Sequence, residues 1–534
     1  METGMGKLPS INPLMKRNLL FLITTLLYWV PVLQAQTFNI TDFGAVPGGK
    51  TLNSEAIQAA VDSCTNSGGG TVYVPADTFL TGTFDLKSNV NLYLESGAVL
   101  LGSPNLDDYR PYKAAGYDTS QYGIIYAEKA ENVSISGFGT IDGNEEAFFH
   151  WDEAKSIEWG GVKHTRQKED FRKVESGIGD GPVKPKDRPR QMVIFSQCKN
   201  VTVKDVSLNK SPFWTLHFAD CDGVVATNVK IWTSLFTPNS DGIGINSCNN
   251  VKVSNCDIRS GDDAIAITGY AYHFENPGFH NLRHKSENIT ITNCNLQSRS
   301  SGIRIGFQDQ NTVRNIHINN VNISESNRGI GIFVRDEGSI ENVTVSQVHI
   351  ETRLHTGDWW GNGEPIHISA VRGVPDVELG HIKNVTFRDV TLEGENGILV
   401  YGSEENRIQD LRFNNLRFTF LKSELNTIAG GNIDLRGAMG EKQLFESDIS
   451  AFYAQYVDDL SIENAKITWD EVEQDYFRHG LHITQFTDLK LADVVTTSSP
   501  TNPDLLPVIV ENGKQFETDL TPELYRTHQV EGSK

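Results

Sequence analysis

A short phrase that keeps returning constrains this chain more than any other feature of it. Asparagine, apolar, polar, apolar, two polar residues and then two more apolar positions recur as NVTVKDVSL from Asn200, NVKVSNCDI from Asn250, NITITNCNL from Asn288, NIHINNVNI from Asn315, NVTVSQVHI from Asn342 and NVTFRDVTL from Asn384. Weaker copies start near Gly223, Asp459 and Asp488. The starts at 288, 315 and 342 lie 27 residues apart, and the wider gaps after 250 and 342 mark insertions. Strict alternation of β-branched and polar residues is a strand signal, and each copy is followed by turn residues and a second apolar run such as Gly302 to Ile305. One such unit cannot bury its own apolar face, whereas unit stacked on unit closes a continuous core. The expected fold is therefore all-β: a right-handed parallel β-helix in a single domain. A βαβ protein is excluded because the intervals lack helical periodicity. The exception, Ser54 to Cys64, sets Ile57, Ala60, Val61 and Cys64 on one helix face and reads as a cap over the first coil. The repeating Asn reads as a structural ladder of stacked amides.

The expected boundaries are a removable signal peptide over 1–35, the β-helix over 36–500, and an extension over 501–534 that packs on the helix or stays partly disordered. Lys16 and Arg17 precede the apolar run Leu19 to Leu33, with Ala35 at the cleavage point, which implies a secreted or periplasmic protein with no membrane attachment after processing. A net charge of -21 disfavours nucleic acid and anionic membranes as partners, so a polyanionic substrate would need local arginines. The six cysteines form no C-x-x-C pair and fall at equivalent places in successive repeats, which reads as buried free thiols rather than zinc ligands or bridges.

Two acidic motifs interrupt the repeat. Thr-Pro-Asn-Ser-Asp-Gly at 237–242 and Ser-Gly-Asp-Asp-Ala at 260–264 each precede a short apolar strand, and Asp241 and Asp262 are 21 residues apart, close to one coil. That spacing sets Asp241, Asp262 and Asp263 side by side on successive rungs. Three crowded carboxylates must bind a cation, share protons or do acid–base work. Like charges raise at least one pKa, and glycoside hydrolysis needs such a split between a protonated acid and an ionised carboxylate. Taken singly, each motif is also ordinary turn chemistry.

With FNITDFGAVPGG, GGGTVYVPADTFLTGTFDLKSN, RPRQMVIFSQC and SPFWTLHF, these motifs resemble glycoside hydrolase family twenty-eight, the pectin-degrading polygalacturonases and rhamnogalacturonases, over roughly residues 37–470. The resemblance implies inverting hydrolysis of a pectic poly- or oligosaccharide without metal or other cofactor. It implies Asp262 as general acid, Asp241 and Asp263 as holders of the attacking water, and Asn239 as the residue that orients a carboxylate or sugar hydroxyl. The chain departs from the family twice. Ser300-Ser301-Gly302 stands where Gly-His-Gly is expected, leaving His273, His280 or His284 to reach back from the insertion after Asp263. Gly331 and Phe333 stand where Arg-Ile-Lys has its two basic residues, and Arg304 and Arg335 are the natural substitutes for binding a uronate.

Trp214 and His217 are expected to line the same groove, and Trp359 and Trp360 to form a sugar platform in the second long insertion. The charged segment 144–190 reads as a lid or wall. Bulk added by this segment and by 269–286 and 354–364 suits exo rather than endo cleavage. The leading expectation is an exo-acting hydrolase of galacturonosidic linkages. The alternatives are a rhamnogalacturonan or other pectic side-chain hydrolase, a calcium-dependent polysaccharide lyase, and a carbohydrate-binding β-helix without catalysis.

Overall fold

A computed structural model describes residues 36–533 apart from 114–119, 156–165, 167, 169–177, 272–275, 281 and 283–284. The expected signal peptide, His273 and His284 lie outside the described residues. Among those described, no helix is long and apolar enough to cross a membrane.

The strands form one parallel coil of coils. A typical turn runs Ile243–Asn246, Asn249–Ser254 and Asp257–Ser260, and each of these three strands pairs in register with its counterpart one turn away. One wall positions the site: β1 (Leu216–Ala219), β2 (Ile243–Asn246), β3 (Ile265–Thr268), β4 (Ser301–Ile305), β5 (Arg328–Val334) and β6 (Glu364–Ala370). Along it Leu216, Ile243, Ile265, Ile303, Ile330 and Ile366 stack one per rung, all fully buried. Each such side chain contributes about 1.5–3 kcal/mol on removal from water, so the alternation seen in sequence is the core itself.

Corners between walls explain the repeating Asn. Asn250, Asn288, Asn315, Asn342 and Asn384 all take φ between 56° and 59°, a left-handed conformation that Asn tolerates better than most residues. Each amide donates to the rung before it: Asn384 to Asn342 (2.8 Å), Asn342 to Asn315 (3.0 Å), Asn315 to Asn288 (3.2 Å), Asn288 to Asn250 (3.3 Å) and Asn250 to Asp222 (2.8 Å). Beyond Asn384 the same corner carries Asp410, Asp459 and Asp488, all left-handed, on rungs that pair in turn.

The first coil is capped by a helix over Ser54–Asn66 that buries Ile57, Ala60, Val61 and Cys64. All six cysteines are buried and unbridged, with the Cys221 N–H donating to the sulfur of Cys248 at 3.3 Å. The C-terminal boundary differs from expectation. Val508–Thr518 and Tyr525–Ser533 are further parallel strands in register with Leu481–Val495 and with each other, so the coil continues beyond residue 500. Their alternation is weaker in polarity, which hid them.

Candidate active site

The three aspartates arise where the corner before the β1–β6 wall is widened. The Gly242 N–H donates to the Asp263 carbonyl (3.0 Å), which sets Asp241 and Asp263 on adjacent rungs, and the three acids bring one oxygen each within 4.8 Å of one another. Asn239, at φ 56°, turns its backbone N–H onto Asp262 Oδ2 (3.2 Å), while Oδ1 accepts from the Asp263 N–H (2.9 Å). The Asn239 side-chain oxygen accepts from Arg188 Nη2 at 2.9 Å. Gly261 is required here, because a β-carbon would lie 2.2 Å from the Thr237 carbonyl oxygen of the neighbouring turn.

Charge is divided unequally among the trio. Burial, then Asp263, pushes the Asp262 carboxyl up to about 6. Burial, Asp262 and Asp263 raise Asp241 well above the usual carboxylate range. Burial acts in the same sense on Asp263, but the Arg304 guanidinium reverses it: Nε bonds Asp263 Oδ2, and the Ser301 N–H donates to Oδ1 at 3.0 Å, holding this carboxyl below its ordinary value. Arg304 Nη2 also lies 3.9 Å from Asp241. One carboxylate therefore keeps its charge while a proton is retained by the pair beside it, and that proton belongs to the pair rather than to either residue. A guanidinium already supplies positive charge to two of the three acids, so the cluster does not depend on a cation to be tolerated.

The two sides of the trio differ. Upstream, Trp214 stacks on His217 (centroids 5.0 Å apart, 19° between planes) and Phe279 covers the imidazole at 5.1 Å. His217 leans over Gly244, where a β-carbon would lie 2.1 Å from Nδ1. Burial and the Arg304 charge push its pKa down to about 3, and neither ring nitrogen has a hydrogen-bond partner. Downstream lies a group of arginines. Arg304 and Arg335 flank the Phe307 ring at 5.3 and 4.8 Å, and Arg335 and Arg436 approach the Trp360 ring at 5.7 and 5.0 Å. Arg335 donates from Nη2 to the Arg436 carbonyl, while its Nε and Nη1 are buried and have no hydrogen-bond partner among the described residues. Burial and the Arg436 charge push its pKa down to about 9.

Several expectations are corrected by this geometry. Trp359 is buried with its Nε1 donating to the Asp180 carbonyl (3.2 Å), and Trp360 is covered by Phe333, Arg328 and Arg436, so neither offers an open sugar platform. Arg304 is committed to Asp263, the Gly306 carbonyl (3.2 Å) and the Tyr270 hydroxyl (3.5 Å), so it tunes an aspartate rather than waiting for substrate. His280 bonds Glu128 at 2.9 Å and does not replace the family's histidine. Phe333 folds back over Gly331, filling the space of both absent basic side chains. Sequence reasoning missed Arg188, although it sits in the quoted RPRQ motif, and Arg436, which reaches Arg335 across 101 residues of chain from a two-stranded hairpin, Ile433–Asp434 with Leu444–Phe445.

The long insertions meet. The Asp180 carboxylate accepts from the Thr356 N–H (2.9 Å) and hydroxyl (3.1 Å), and Arg166 bonds the Gly430 carbonyl (3.0 Å) and Asp448 (2.8 Å). Segment 144–190 thus anchors on two later insertions.

Known proteins resemble this chain in sequence and in fold. A model of the glycosyl hydrolases family 28 matches residues 64–426. A probable polygalacturonase of Vitis vinifera is 29% identical over 44% of this chain and 44% of its own, and an exo-poly-alpha-D-galacturonosidase of Dickeya chrysanthemi is 31% identical over 43% and 41%. The chain thus spans less than half the length of these two relatives. In fold it is similar to an exopolygalacturonase from Thermotoga maritima (TM-score 0.60, 21% identity, 82% of this chain and 93% of that one). It is likewise similar to a family 28 exopolygalacturonase from Yersinia enterocolitica (TM-score 0.63, 19% identity, 86% and 79%). With the profile matched across most of the coil and the aspartate trio inside the matched span, the chain belongs to family 28 of the glycosyl hydrolases.

Proposed function

We propose that the protein is an exo-acting hydrolase of galacturonate-containing pectic chains, exported by its N-terminal segment. The observation that carries the reading is the divided trio: a buried carboxylate held ionised by Arg304 against two neighbours of raised proton affinity. Asp262 protonates the leaving glycosidic oxygen. Asp263, with Asp241 beside it, holds the water that attacks the anomeric carbon. Arg335 supports a uronate substrate, because a buried guanidinium with two unpartnered N–H groups and like-charged neighbours is costly until an anion reaches it. The joined insertions support exo action, since a walled groove admits chain ends more readily than chain middles.

Product chromatography over time on polygalacturonate and its oligomers tests this. Monomer or dimer from the first minutes is expected, and an early ladder of long oligomers overturns exo action. Activity retained after chelation separates hydrolysis from a calcium-dependent lyase. Proton NMR of the first-formed product checks inversion, and a product with the substrate's own anomeric configuration overturns it. The family resemblance implies an inverted anomer.

A further inference from the structure

Glu145 belongs to no part of the catalysis described so far, yet it is buried directly behind the turn that carries it. It sits on the short helical turn Glu145–Phe148, 4% exposed. One carboxylate oxygen accepts the Ser234 N–H (3.2 Å), and the other accepts the Thr237 hydroxyl (2.9 Å). From Thr237 the network runs on: its carbonyl accepts from the Ser240 hydroxyl (2.8 Å), whose oxygen accepts the Gly261 N–H (3.0 Å), one residue before Asp262. The turn holding Asn239 and Asp241 is thereby tied to the turn holding Asp262 on the next rung.

We propose that Glu145 is a positioning residue that fixes the distance between Asp241 and Asp262. Acid and base lie on separate turns of separate coils, so their spacing is not set by the strand ladder alone. A carboxylate that grips a backbone N–H and a hydroxyl of one turn holds it at both ends. The charged groups that act on it are Glu146 and Lys210, and Lys210 bonds Glu146 at 2.6 Å. Burial pushes Glu145 itself up to about 7, so its neutral form is accessible and a neutral amide is a fair substitute.

The inference rests on the hydrolase reading. It is tested with the full-length protein and the variants E145A, E145Q and T237V. The expected result for E145A is a kcat lower by about 30-fold with KM changed less than about threefold, and an alkaline limb of the kcat/KM profile moved to lower pH, because Asp262 raises the proton affinity of Asp241 and that hold on the shared proton weakens as the two drift apart. E145Q should recover kcat to within about threefold of wild type, since an amide still accepts from Ser234 and donates to Thr237. T237V should act in the same direction as E145A, and the double variant E145A/T237V should lose little more than E145A alone. Wild-type kinetics in E145A overturn the proposal, as does a loss with an unmoved alkaline limb or no recovery in a folded E145Q. A wild-type protein that cleaves no pectic oligomer overturns the hydrolase reading, and the role assigned to Glu145 with it.

Discussion

The two sides of the aspartate trio are built from opposite chemistry on the same scaffold. Upstream, Trp214, His217 and Phe279 form an aromatic side whose imidazole is neutral. Downstream, Arg304, Arg335 and Arg436 surround Phe307 and Trp360 with positive charge. The surroundings of the trio are therefore asymmetric, aromatic and neutral on one side and cationic on the other. A chain with net charge -21 has spent its local positive charge where an anionic substrate would need it.

The trio between the two sides gives the largest expected effect. Asp262→Asn should lower kcat by about 10³-fold, within the range for loss of a general acid, while leaving substrate binding and the melting temperature near wild type. The loss should be equal for uronate and carboxyl-reduced substrates, since neither side is touched. Wild-type turnover in a folded variant ends the assignment.

Next is the cationic side. Arg335→Ala should cost about 100-fold in kcat/KM on a uronate, roughly 3 kcal/mol for charged hydrogen bonds, and only a few-fold on the neutral, carboxyl-reduced sugar. Equal losses on both would make Arg335 a scaffold residue and erase the contrast between the sides. Smaller is the effect of pH: Asp262, pushed up to about 6, shares a proton with Asp241, whose affinity is raised further, so kcat/KM should fall, by up to about tenfold per unit, as rising pH removes that proton from the pair. A rate constant from pH 6 to 9 contradicts this. The smallest effect belongs to the aromatic side, where His217→Phe keeps the stack but removes a neutral polar ring. A loss of about threefold to tenfold, the same for uronate and reduced substrate, is expected; a loss confined to the uronate would reverse the roles of the two sides.

What the sequence made legible follows from how local each feature is. The coil, its Asn corners, the capping helix and the spacing of Asp241 and Asp262 depend on residues within about one repeat, and periodicity reports them directly. The identity of the downstream side depends on contacts between distant insertions. Arg436 meets Arg335 across 101 residues, and nothing in the phrase around either signals the other. Trp359 and Trp360 show the same limit from the other direction. A pair of tryptophans in a polar loop reads as a platform until its distant partners are known: Asp180 for Trp359, and Phe333, Arg328 and Arg436 for Trp360. Arg304 was found by its position but misjudged in role, since only the register reveals how close it stands to Asp263.

The Asn corner has a consequence at the far end of the solenoid. Where amides give way to Asp410, Asp459 and Asp488, neighbouring rungs oppose like charge to like charge, and burial with Asp488 and Asp410 raises the Asp459 pKa. A group whose proton affinity rises on folding favours the folded state most in acid, and that contribution is lost as pH climbs through its folded value. In a fold where each coil leans only on its neighbours, such a penalty stays local. The like-charge contact at Asp459 is therefore felt by the C-terminal coils that carry it, whereas the amide-laddered corners of the middle, joined by neutral hydrogen bonds, carry no such pH-dependent contact.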